Sequence, residues 1–173
     1  MQNITPFLWF DDNAEEAANY YVALFKNSKI ENVSRYGDAG PREKGSVMTV
    51  SFQLDGTDFI ALNGGRQHRD GTDLPGFDLG ASSAVSFFVN CPTQDEVDRL
   101  WDELNKGGTP LACGWIRDKF GVTWQIVPDG LIELISSDDE ERSTRAMSAM
   151  MEMEKLDINE VRRAYYGEET TAR

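Results

Sequence analysis

The sequence predicts an α+β protein made of paired βαβββ modules that form two half-barrels, followed by a C-terminal helical extension. Three observations carry this reading. A β-forming run leading into an amphipathic helix occurs twice, with the helix stripe displaced by eighty residues. A hairpin strand recurs at an offset of sixty-five. The last part of the chain switches to helix caps and helical stripes. The expected organisation is a two-module domain over residues 1–135 (module one 4–65, a linker or flap 66–83, module two 84–128) and a helical tail over 136–173.

Residues 4–10 form a short apolar run rich in β-formers, ended by Asp11, Asp12 and Asn13, and read as a strand. Asn13 with Glu16 has the spacing of a capping box. Ala17, Tyr20, Tyr21 and Leu24 then recur at i, i+3, i+4 and i+7, the stripe of a helix running to about Phe25. Three strands follow, near 30–36, 47–54 and 58–62. A Gly/Pro-rich loop (37–45) separates the first two, and Asp55-Gly56, a strong hairpin signal, separates the last two.

Residues 66–83 hold Gly71, Pro75, Gly76 and Gly80, little periodicity and the single histidine, His68. A connection of this length reads as a surface linker or a flap over a pocket. The pattern then restarts. Residues 84–89 read as a strand, Thr93 with Glu96 as a second capping box, and Val97, Leu100, Trp101 and Leu104 as the counterpart of the first helical stripe, with Gly107-Gly108 as its stop. Residues 121–127 align with 56–62, so module two is shorter by fifteen residues, which abbreviated strands near 111–117 account for.

In the tail, Ser137 followed by four acidic residues reads as an N-cap with charges favouring the helix dipole, and Met147, Met150 and Met151 as an apolar stripe. Asp157 with Glu160 caps a last helix, Leu156 and Val161 stand at staple positions, and Gly167 stops it. The methionine stripe is expected to pack as core.

The 173 residues carry 17 Lys plus Arg against 30 Asp plus Glu, a formal net charge of −13. Such a surface repels phosphate backbones and anionic membranes, so no nucleic-acid or membrane partner is expected. No apolar run approaches the roughly 18–20 residues of a membrane span. The N-terminal residues have no secretory pattern, and a cytoplasmic location is the expectation. Cys91 and Cys113 lack C-x-x-C spacing and neighbouring histidines, and read as inert thiols. One histidine leaves little room for Ser-His or Cys-His chemistry, so no catalytic residue is assigned.

Phe10 to Tyr21 (F-D-x-N-A-E-E-A-x-x-Y-Y) and Asp118 to Pro128 (D-K-F-G-V-T-W-Q-I-V-P), set in two βαβββ units, resemble the vicinal oxygen chelate superfamily, which has the glyoxalase/bleomycin-resistance fold. Leu62 to Gly65 and Cys113 to Gly121 are similar to its PhnB-like branch, which carries the label 3-demethylubiquinone-9 3-methyltransferase. The resemblance implies two half-barrels whose concave faces supply ligands and, in the metal enzymes, His, Gln and Glu donors from the first and last strands of each unit. Here the first-strand positions fall near Pro6 and Ala84. Gln125 stands at the last-strand position of module two, and its counterpart lies among Phe59, Ile60 and Leu62. One carboxamide does not anchor a divalent ion, so no metal and no cofactor are expected.

Strand alternation counted from those positions puts Pro6, Leu8, Phe10, Ala84, Ser86, Phe88, Thr123, Gln125 and Val127 on the concave faces. The expected ligand-binding residues are Leu8, Phe10, Asn63, Ser86, Phe88, Trp115 and Gln125. They would hold a small, aromatic or amphipathic molecule, with Trp115 as a stacking surface at the rim. The alternative is that these side chains only fill a collapsed half-barrel. Two functions stay open: a metal-independent small-molecule binding protein, or an enzyme of the same superfamily (lyase, isomerase, dioxygenase or the nominal methyltransferase). The fold's habit of completing cavities between subunits implies a homodimer.

Overall fold

A computed structural model describes residues 4–38, 41–66 and 85–168. The chain divides into two compact units, the first ending at Phe77 and the second starting at Asp78. Most of the expected linker, His68 and Ala84 lie outside the described residues.

Unit one contains β1 (Phe7–Phe10), α1 (Ala14–Leu24), β2 (Lys29–Arg35), β3 (Val47–Leu54) and β4 (Thr57–Asn63). They form a sheet in the order β1-β4-β3-β2, with β1 parallel to β4 and the other pairs antiparallel. At the β3–β4 turn Asp55 and Gly56 both have positive φ, 44° and 78°, the geometry a two-residue hairpin matched to strand twist requires. Helix α1 buries Ala14, Ala17, Ala18, Tyr21 and Leu24. The Tyr21 ring stacks on Phe52 at 6.4 Å, and Phe52 stacks on its cross-strand partner Phe59 at 5.4 Å.

The start of α1 departs from the sequence reading. Asn13 makes no side-chain cap. The cap comes from β4, where Asn63 Oδ1 accepts from the Ala14 amide at 2.7 Å, while Asn63 Nδ2 donates to the Val47 carbonyl at 3.1 Å. Only tertiary structure brings that carboxamide to the helix start, so local spacing points to the wrong asparagine.

The face expected of β1 is also inverted. Leu8 pairs with Ala61 and Phe10 with Asn63, on the side of the sheet that packs under α1, and both are buried. Phe7 and Trp9 occupy the other side. The cause is a three-residue slip in the inferred alignment of the two first strands, which matches Phe10 with Phe88. Phe7 pairs with Ile60 as Phe88 pairs with Gln125, so Phe7 and Phe88 are equivalent. A slip by an odd number of residues exchanges the two faces of a strand.

Unit two repeats the plan with β5 (Phe87–Cys91), α2 (Gln94–Leu104), β6 (Thr109–Pro110), β7 (Trp115–Arg117) and β8 (Thr123–Pro128), in the order β5-β8-β7-β6 with β5 parallel to β8. Thr93 Oγ1 accepts from the Glu96 amide at 3.2 Å, as its spacing predicts. Helix α2 buries Val97, Leu100, Trp101 and Leu104, the predicted stripe.

Three further helices follow: α3 (Leu131–Ile135), α4 (Glu140–Met151) and α5 (Ile158–Tyr166). Helix α3, at five residues too short to show a period, is not evident in the sequence. Asp139 caps α4 in place of the expected Ser137, because its carboxylate accepts from the Arg142 amide. Asp157 caps α5, and Gly167 ends it with φ of 72°. Leu131, Ala146, Leu156, Ile158 and Val161 form a core with Val127 of β8. Met150 packs against that core, whereas Met147 and Met151 are exposed, so only part of the methionine stripe is interior.

Gln94 ties this tail to α2. Its Nε2 donates to the Leu156 carbonyl at 2.9 Å, and its Oε1 accepts from the Ile158 amide at 3.0 Å. Gly114 lets the tail approach: a Cβ there would lie 2.6 Å from Leu156 Cδ1 and 2.8 Å from the Ile126 carbonyl, at a φ of 80°. Among the described residues no helix is long and apolar enough to cross a membrane.

Candidate functional site

The second sheet has two chemically different faces. Toward α2 it presents Phe87, Ile116, Trp124, Ile126 and Cys91, of which all but Phe87 are buried. Phe87 and Trp124 pair in register, with ring centroids 5.3 Å apart. The Trp124 indole donates from Nε1 to Asp118 Oδ2 at 2.8 Å, and Asp118 Oδ1 accepts the amides of Phe120 and Val122 at 2.9 and 3.0 Å. The aspartate therefore closes the β7–β8 turn and anchors the indole. Burial, aided by the charge of Glu96, pushes the Cys91 thiol up to about 11. A thiol held neutral in this way has little thiolate to react with, in keeping with the expectation from its isolation in the sequence.

The opposite face carries a mixture of aromatic and polar side chains. Strand pairing places Trp115, Gln125 and Phe88 in one transverse row and Arg117 and Thr123 in the next. Ser86, one residue before Phe87, extends the second row, because Phe87 pairs with Trp124. Gln125 Nε2 donates to Ser86 Oγ at 2.8 Å, linking the rows. Phe88 keeps 51 % of its surface exposed, and Trp115 is half-buried. Thr123 is only 3 % exposed, yet among the described residues its Oγ1 has no hydrogen-bond partner, and neither does the buried Nε of Arg117.

Of the residues expected to bind a ligand, Ser86, Phe88, Trp115 and Gln125 thus come together on one face of one sheet. Leu8, Phe10 and Asn63 do not join them. Leu8 and Phe10 belong to the core under α1, and Asn63, 5 % exposed, spends its side chain on the helix cap and the Val47 carbonyl. Arg117 and Thr123 complete the polar row. Thr123 is legible from strand alternation, but Arg117 needs the β7–β8 register, which a three-residue strand hides in the sequence.

The same register tests the fold's usual metal arrangement. The equivalent first-strand and last-strand positions hold Phe7 opposite Ile60 in unit one and Phe88 opposite Gln125 in unit two. Three of these four side chains have no donor atom, and a divalent ion needs at least three protein donors. Among the described residues no group of three or more His, Cys, Asp or Glu stands close enough to hold an ion. These residues do not fit a metal centre.

Residues 2–127 match the family model described as 3-demethylubiquinone-9 3-methyltransferase. The PhnB protein of Bacillus cereus is 34 % identical, and the match covers 73 % of this chain and 99 % of that one, with a TM-score of 0.60. Protein PA1353 of Pseudomonas aeruginosa shares the fold at 20 % identity, covering 75 % of this chain and 100 % of that one, with a TM-score of 0.54. No curated protein matches the chain. The matched segment spans both modules, and with the paired four-stranded sheets and the identity to the Bacillus protein it assigns the chain to the PhnB-like, glyoxalase-fold branch known as the 3-demethylubiquinone-9 3-methyltransferase family.

Proposed function

We propose that this protein binds a small organic molecule on the face of the second sheet opposite α2, without a metal ion. The observation that carries the reading is the row Trp115–Gln125–Phe88: two aromatic side chains flank a carboxamide at the position where the metal enzymes of the fold place a ligand. A half-exposed phenyl ring and a half-buried indole, one on each side of the carboxamide, offer apolar area, and the carboxamide offers orientation, the usual division of labour in a small-molecule site. The family's nominal methyl transfer gains no support from the residues, since no G-x-G-x-x-G follows any strand.

Thermal unfolding tests the reading. Ligands that bind the native state raise the melting temperature by mass action. Small aromatics and quinones are expected to raise it by several degrees, and Ni²⁺, Zn²⁺, Mn²⁺ and Fe²⁺ are not. A metal-dependent rise that Gln125→Ala abolishes would replace this proposal with a metalloenzyme. We further propose that the protein acts as a homodimer, which the exposed apolar side chains of Met147 and Met151 on α4 support. Sedimentation as a monomer at micromolar concentration would contradict that.

A further inference from the structure

The polar row on this face is built for a negative charge. Arg117 and Thr123 face one another across β7 and β8, and each holds a buried polar atom with no partner, Nε in one and Oγ1 in the other. Buried polar groups are almost always satisfied, so two orphans in one cross-strand pair call for an explanation. Leaving a buried guanidinium nitrogen dry and unpaired is costly unless something fills its valence.

Among the described residues the protein does not supply that something. The adjacent carboxylate, Asp118, is on the other face, with both oxygens committed to Phe120, Val122 and Trp124. The third member of the row is a donor too. Ser86 Oγ accepts from Gln125, which leaves its own hydrogen directed elsewhere. A guanidinium and two hydroxyls side by side make a site for an oxyanion, with Arg contributing the planar fork that suits a carboxylate. Because the chain carries a net charge of −13, long-range attraction cannot gather anions here, and recognition has to come from these short contacts.

Rows two residues apart along a strand are separated by about 6–7 Å. An anionic group held against Arg117, Thr123 and Ser86 therefore directs whatever it is attached to toward the row Trp115, Gln125 and Phe88. We infer that the ligand is a small aryl carboxylate, its carboxylate seated on Arg117, Thr123 and Ser86 and its ring lying along Phe88 and Trp115. This rests on the small-molecule binding proposed above and names the class of molecule.

The test is isothermal titration calorimetry of the full chain with benzoate and phenylacetate against their neutral isosteres benzamide and phenylacetamide. The expected result is that each carboxylate binds at least tenfold more tightly than its amide. Arg117→Gln should remove that difference while leaving the amides within about twofold of their wild-type affinity. Thr123→Val, nearly isosteric with the native side chain, should weaken the carboxylates several-fold and raise the melting temperature of the free protein, a pairing that a purely structural threonine would not produce. Equal binding of acids and amides, or a preference that survives Arg117→Gln, would overturn the assignment of charge and leave small-molecule binding standing. Failure of all four compounds to bind would overturn both.

Discussion

Gln125 Nε2 donates to Ser86 Oγ at 2.8 Å, so the carboxamide on β8 and the hydroxyl just before β5 behave as one unit on the face opposite α2. A half-buried hydrogen bond of this kind is worth about 1 kcal/mol. Gln125→Ala and Ser86→Ala should each lower stability by about that amount, and the double variant by clearly less than the sum, with a coupling of about 0.5–1 kcal/mol. Urea unfolding of the four proteins checks this. Strict additivity would show that the two side chains are independent.

The other face depends on Asp118. Its carboxylate accepts three hydrogen bonds, two from backbone amides of the turn and one from the Trp124 indole. Asp118→Ala strands those buried donors and should cost on the order of 3 kcal/mol. The fall should appear as a lower urea midpoint with an unchanged slope. It should be accompanied by a loss of near-ultraviolet circular dichroism as the indole loses its anchor.

Gln94 and Gly114 are two of the points that hold the tail against the second sheet and α2. Gln94→Ala removes both bonds that reach Leu156 and Ile158, and Gly114→Ala drives a methyl group into Leu156 and the Ile126 carbonyl. Gln94→Ala should cost about 1–2 kcal/mol. Gly114→Ala should cost about 1–3 kcal/mol from overpacking alone. Hydrogen exchange should accelerate selectively in α4 and α5 for both variants. Uniform acceleration would mean that the tail and the second sheet unfold as one body.

How much of this was legible in the sequence follows from which contacts are local. The helices declare themselves because Ala17, Tyr20, Tyr21 and Leu24 and their counterparts eighty residues later repeat within one element, and because Thr93 caps the helix it precedes. The start of α1 did not, since its cap, Asn63, arrives from forty-nine residues away. The faces of β1 were inverted because that strand has only four residues, too few for alternation to fix its register against the second module. Strand alternation is enough to put Ser86, Phe88 and Gln125 on one face of module two. Arg117 joins that face only through the register of β7 on β8, which a three-residue strand does not reveal.

The two cysteines should separate chemically. Cys91 is fully buried with its pKa pushed up from 9.0 to about 11, whereas Cys113 is partly exposed, its Sγ 3.7 Å from Met151 Sδ. A thiol reagent at pH 8 should titrate one equivalent in the native protein and two after denaturation. Burial favours the neutral Cys91 thiol in the folded state, so its contribution is intact below pH 9 and lost as pH rises from 9.0 through about 11. Cys91→Ala should remove that alkaline component of destabilisation. Two fast equivalents from the folded protein would contradict the burial.

The four tryptophans give the most direct test of where a ligand sits. Trp115 lies on the face opposite α2, the Trp124 indole is committed to Asp118 on the other face, Trp101 is buried in α2, and the Trp9 indole donates to the Gly65 carbonyl in unit one. In a nitrogen–proton correlation spectrum of the labelled protein, titration with benzoate should move the Trp115 indole resonance and leave those of Trp101 and Trp124 in place. A Trp115 resonance that stays fixed while benzoate binds would contradict the account.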